Sequence, residues 1–73
     1  MLDLERLRVF IDAAENLSFS EAAKRRHLTQ PTVNHHIKAL EQSIGVKLFE
    51  RSGSGVKLTE GGRLLLPWAR VGA

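Results

Sequence analysis

Apolar residues recur every three or four positions through three stretches of this chain, and the pattern breaks once, after Gly45. In the first stretch Leu4, Leu7, Phe10, Ile11, Ala14 and Leu17 fall in one broad arc at about 100° per residue, which predicts a helix. Asp3 is suited to cap it, and Glu5 favours its first turn. Val9 projects away from that arc. An exposed valine is the simpler reading, and a second contact surface is the alternative.

The second stretch begins at Ser18-Phe19-Ser20-Glu21. Ser18 and Glu21 have capping-box spacing, while Ser20 is a competing N-cap. The helix that follows is short enough to need tertiary support, with Phe19 anchoring its entry against the first helix. Ala22 and Ala23 allow a close helix crossing. A polar corner, Arg26-His27-Leu28-Thr29, comes next, with histidine where a helix-turn-helix often uses glycine. Histidine is among the residues more often found at positive φ, so the corner can still form.

Thr29 caps the third helix and Pro31 lies in its first turn, where a missing N–H costs nothing. Val33, Ile37, Leu40 and Ile44 make the cleanest apolar stripe in the chain, and Gly45 ends it. With that stripe inward, Pro31, His35, Lys38 and Gln42 point directly outward. Gln30 and Asn34 take one shoulder, Thr32 and Ala39 the other, and His36 falls at the boundary.

Beyond Gly45 the period shortens. Val46–Arg51 and Val56–Leu58 flank Ser52-Gly53-Ser54-Gly55, which predicts a small β-hairpin with Arg51 and Lys57 beside its loop. Thr59 and Glu60 then open a fourth helix containing Leu64, Leu65, Leu66 and Trp68. Pro67 removes the bond to the Arg63 carbonyl and is expected to kink or end that helix. A helix this apolar either covers the first helix or pairs two copies of the chain. The expected fold is mainly α: a winged helix-turn-helix of three helices and a hairpin wing over residues 1–58, then a further helix over 59–73.

With 73 residues the chain makes one small domain, and without cysteine neither disulfides nor thiolate metal sites can staple it. No apolar run approaches the roughly 18 residues of a membrane span, so a soluble intracellular protein is expected. Charge sharpens the picture. Residues 1–23 carry a surplus of three acidic groups, whereas residues 24–73 carry nine Lys/Arg against Glu41, Glu50 and Glu60, with three histidines besides. That asymmetry suggests a polyanion-facing half, against the plainer reading of a basic solvated surface. Catalysis is not expected: His35 and His36 do not share a helix face, and the glycine-rich segments lack the lysine and spacing of a phosphate loop. Neither a metal nor a cofactor is expected.

Several runs together resemble LysR-type transcriptional regulators: Leu7-x-x-Phe10, Ser18-Phe19-Ser20-x-Ala22-Ala23 and Leu28-Thr29-Gln30-Pro31-x-Val33. The likeness continues through Ile37-x-x-Leu40-Glu41, Gly45-Val46-x-Leu48-Phe49-x-Arg51 and Leu58-Thr59-x-x-Gly62. It covers nearly the whole chain as an N-terminal DNA-binding domain plus the start of a linker helix. The resemblance implies bacterial, cytoplasmic, sequence-specific binding of double-stranded DNA at a pseudo-palindromic operator, by a homodimer joined through the linker helices at Leu64, Leu65 and Trp68. By position Gln30, Pro31, Asn34 and His35 match base-reading sites of a recognition helix in the major groove. Thr29 matches a position near phosphate and Arg51 the wing-base arginine, while Lys38, Arg51 and Lys57 are suited to sequence-independent phosphate attraction.

Glutamine suits adenine, and histidine and asparagine can read base edges. Asn34 and His35 stand where the family often has serine and arginine, which puts the preferred bases in doubt, and Arg26 stands at a position that is usually apolar. Family members continue into an effector-binding α/β domain, whereas this sequence stops at Ala73, so no small-molecule site is expected within it. The competing class is a protein-interaction module, which would show apolar anchors on the outward face of the third helix.

Overall fold

The computed structural model describes residues 3–73. Four helices, α1 (Leu4–Asn16), α2 (Phe19–Arg26), α3 (Gln30–Ile44) and α4 (Glu60–Gly72), surround one core, and a hairpin of β1 (Phe49–Ser52) and β2 (Gly55–Leu58) separates the last two. This is the expected winged helix-turn-helix with a further helix.

Local chemistry sets each helix start. The Asp3 carboxylate accepts from the Glu5 N–H at 2.9 Å, and the Ser18 hydroxyl accepts from the Glu21 N–H at 3.1 Å. Ser18 is therefore the cap of α2, and Ser20 only meets its hydroxyl. The capping box is half made, because the Glu21 carboxylate turns to Arg25 at 3.6 Å. Thr29 and Thr59 cap α3 and α4 in the same manner, by accepting from the N–H groups of Thr32 and Gly62.

Three helices end on a left-handed residue: Leu17 at φ 49°, His27 at φ 57° and Gly45 at φ 72°. Only the last is glycine. The left-handed conformation costs a residue with a Cβ about 1–2 kcal/mol, partly offset by the greater unfolded-state entropy of glycine. His27→Gly is accordingly expected to stabilise the domain by about 0.5–1 kcal/mol, read as a rise in the urea midpoint at constant m-value.

The core joins Leu7, Phe10, Ala13 and Ala14 of α1 to Ala22 and Ala23 of α2, Val33, Ile37 and Leu40 of α3, Leu48, Phe49 and Ala69. Val9 belongs to it too: it is fully buried, which overturns the reading of an exposed valine and agrees with the alternative of a second contact surface on α1. Helix α1 is packed by α2, α3 and α4 together, so its buried arc is wider than one apolar stripe. Ile44 departs in the opposite sense. It is exposed, as are residues 42–47 as a run, because the last turn of α3 runs past its partners. The buried stripe stops at Leu40.

The first strand begins later than the expected Val46 and runs to Ser52, while the second gains Gly55 ahead of Val56. The Val46 N–H bonds the Glu41 carbonyl, the Leu48 N–H bonds the Glu41 carboxylate, and the Leu48 carbonyl accepts from Thr59 N–H. With those groups committed to α3 and α4, pairing begins only at Phe49 opposite Leu58. Gly53 takes φ 58° at the first of the two loop positions, as a type II′ hairpin requires. Pro67 does not end α4. Both Pro67 and Arg63 are exposed, so water can reach the carbonyl that loses its partner.

Candidate nucleic-acid interface

Helix α3 is held by its back. Val33, Ile37 and Leu40 are buried, while Gln30, Pro31, His35, Lys38 and Gln42 are exposed and Asn34 and His36 are half-buried. The corner before it is fixed by the Leu28 N–H, which reaches back to the Ala23 carbonyl at 2.8 Å, across left-handed His27. Buried Ala22 and Ala23 let α2 pack closely enough to set the angle of α3.

An open cleft of about 450 Å³ runs between the front of α3 and the wing. Gln30, Asn34 and Lys38 line it from α3, and Arg51 lines it from β1. Pro31 and His35 lie on the same exposed face outside the cleft, Thr29 caps the helix, and Lys57 stands on β2 opposite Glu50. Ser18 and Ser20 at the start of α2, and Lys47, Glu41 and Glu50, also line the cleft. Sequence reasoning gave none of these five a part in it. Lys47 was within reach as a cation next to the wing. The serines became visible only once the packing had brought the α2 N-terminus beside α3.

Glu41 joins two segments. Its carbonyl accepts from the N–H groups of Gly45 and Val46, and its carboxylate accepts from the Leu48 N–H at 2.8 Å. It thereby ties the end of α3 to the chain entering the wing.

Charge is distributed by pairing. Arg26 bridges α1 and α2, meeting Glu5 at 2.9 Å and Asp12 at 3.6 Å. An arginine is thus accommodated at its unusual position by carboxylates, and its charge is spent inside the domain. Arg25, Lys57 and Arg70 also have acidic partners, whereas Lys38, Lys47 and Arg51 have none among the described residues, as is also true of Arg6, Arg8, Lys24 and Arg63 away from the cleft. Of the cations without partners, Lys38, Lys47 and Arg51 are the three that line the cleft.

Helix α4 has two faces. Gly62, Leu65, Leu66 and Ala69 turn inward against the core, while Leu64, Trp68 and Val71 form an exposed stripe, with Trp68 75% exposed. Leu65 thus lies half-buried against its own domain, apart from Leu64 and Trp68. Covering the first helix and offering an outer apolar face are therefore not alternatives. No helix among the described residues is long and apolar enough to cross a membrane.

Residues 4–63 match the model of the bacterial regulatory helix-turn-helix protein, lysR family. Similar relatives include the HTH-type transcriptional regulator in the ibpB–leuC intergenic region of Azotobacter vinelandii, 57% identical over 93% of this chain and 47% of its own length. The transcriptional regulator YxjO of Bacillus subtilis is 49% identical over 94% of this chain and 24% of its own. The chain therefore spans less than half the length of these relatives. Among solved structures, the DNA-binding domain of CbnR in complex with DNA superposes with a TM-score of 0.90 at 40% identity, covering 96% of this chain and 80% of that one. The BenM DNA-binding domain bound to catB site 1 DNA gives 0.89 at 33% identity, over 96% and 79%. A held recognition helix, a glycine-turned wing and a match that runs from α1 into α4 make this chain a member of the lysR family of bacterial regulatory helix-turn-helix proteins.

Proposed function

We propose that this chain binds double-stranded DNA sequence-specifically as a homodimer, and that it serves transcription regulation in the bacterial cytoplasm. One observation carries the reading: α3 presents a polar front into a cleft whose cations Lys38, Lys47 and Arg51 have no acidic partner among the described residues. In this reading Gln30, Pro31, Asn34 and His35 read base edges in the major groove, and Thr29, Lys38 and Arg51 meet phosphates. The partner-binding alternative loses ground because the outward face of α3 offers no apolar anchor. Residues 1–58 act as the reading unit and 59–73 as the start of the linker helix. Leu64 and Trp68, joined by Val71, form the dimer contact, with Leu65 at its inner edge. Two α3 helices in successive half-sites would account for a pseudo-palindromic operator. The domain needs neither metal nor cofactor for this, and no catalytic step is assigned to it.

A fluorescence-anisotropy titration against a duplex selected from a random pool tests the reading. Gln30→Ala or His35→Ala is expected to cost about 1–3 kcal/mol on the selected site and to relax preference at one base position. Binding that ignores salt, or that does not distinguish the selected site from a scrambled duplex, would refute it.

A further inference from the structure

The wing carries its own negative charge beside the cleft. The hairpin register sets Glu50 directly opposite Lys57, and its Oε1 lies 3.7 Å from the Lys57 Nζ. Both side chains are more than half exposed, so the pair contributes little to folding. Its consequence is electrostatic. Glu50 lines the same cleft as Lys38, Lys47 and Arg51, and next to it in sequence Arg51 remains unpaired among the described residues.

We propose that Glu50 is an affinity-limiting residue of the DNA interface, holding Lys57 in a cross-strand pair and so withdrawing one cation from the wing's attraction for phosphate. This rests on the duplex-binding reading given above. A duplex approaching the wing meets Arg51 as a free charge and Lys57 as a compensated one. To use Lys57, a phosphate must displace the Glu50 carboxylate and then remain near it. Phosphate attraction through counterion release is thereby lowered by about one charge. No base edge is involved, so the penalty falls equally on every sequence, and the contacts of α3 carry a larger share of the binding. Lys57 is accordingly a weaker phosphate contact than its position beside the wing loop suggests.

The test compares the wild-type chain with Glu50→Gln, Glu50→Ala, the double variant Glu50→Gln/Lys57→Gln, and Glu15→Gln. Glu15 pairs with Arg70 at 3.0 Å and does not line the cleft, so its variant makes the same charge change elsewhere. Each is titrated by anisotropy against the selected duplex and a scrambled one across a sodium chloride series. Glu50→Gln and Glu50→Ala are expected to bind both duplexes about fivefold more tightly at low salt, the equivalent of one charge pair near 4 Å in water. Their salt slope should steepen by about one. The double variant should return to the wild-type slope, and Glu15→Gln should stay within about twofold of wild type, its charge being largely screened from the cleft. Unchanged or weaker binding by both Glu50 variants overturns the proposal, as does an equal gain from Glu15→Gln, which would make the effect one of net charge. A wild-type chain that binds neither duplex overturns the duplex-binding reading itself, a result distinguishable from either of those.

Discussion

Phe49→Ala is expected to remove about 3–5 kcal/mol of stability, against a total of about 4–11 kcal/mol for a domain of this length. Phe49 is 8% exposed and stands where the wing meets the helical core. Its ring lies edge-on to Phe10 of α1 at 5.7 Å and to Phe19 of α2 at 5.1 Å, so one side chain joins three elements. Truncation loses the transfer energy of the ring, leaves a cavity, and removes two edge-to-face contacts of about 0.5–1.5 kcal/mol each. Urea unfolding at 25 °C gives the size of the effect, with Phe49→Leu as the partner variant that keeps most of the apolar volume. A loss below about 1 kcal/mol for Phe49→Ala would mean that the cluster is not the junction described. The functional consequence follows from the same contacts. A wing released from Phe10 and Phe19 no longer holds Arg51 in the cleft beside Lys38, so DNA affinity should fall even at temperatures where the helices persist.

Phe19 and Phe49 also indicate what could be read from the sequence. Helix starts were legible because a cap is a local event: Asp3, Thr29 and Thr59 each bond a backbone N–H two or three residues on. The stripe Val33–Leu40 and the polar front of α3 were legible for a similar reason, since one period fixes both faces. What escaped was set by neighbours distant in sequence. Val9 is buried because a third helix packs on α1, and no periodicity within α1 encodes that. Val46–Leu48 has the composition of a strand, yet Glu41 and Thr59 take its backbone groups first. Arg26 read as an oddity on its own, and only the fold brings Glu5 and Asp12 to it. The cleft lies between these levels. Its α3 wall follows from the helical pattern, whereas Ser18, Ser20 and Lys47 reach it through tertiary packing.

The sharpest separation between sequence and structure comes from two adjacent glycines, for which opposite outcomes are expected. At Gly62 a Cβ would overlap the Leu48 carbonyl oxygen and come within 2.7 Å of Leu58 Cδ2. That carbonyl accepts the Thr59 N–H at 3.0 Å and belongs to the segment Glu41 holds, so it has little room to retreat. Gly62→Ala should therefore push the start of α4 off the wing and break the Thr59 contacts to Lys47 and Leu48. Overpacking of this kind costs about 1–3 kcal/mol, and backbone in place of a yielding side chain puts the expected value near the upper end. Better helix propensity returns only about 1 kcal/mol.

At Gly61 the overlap is with the Cγ1 of Val46, a side chain 46% exposed that can rotate away, and the Lys47 carbonyl stands 3.3 Å off. Gly61→Ala should be near neutral, because the same propensity gain offsets a small displacement. Thermal melts of the two single variants decide the matter, and equal destabilisation would contradict this account of where α4 docks. Because α4 carries the exposed Leu64, Trp68 and Val71 stripe, moving its first turn also re-aims the surface proposed to join two copies. Gly62→Ala protein that remains folded at low temperature should thus lose affinity for a two-half-site duplex more than for a single half-site. Gly61→Ala should bind both as the wild type does.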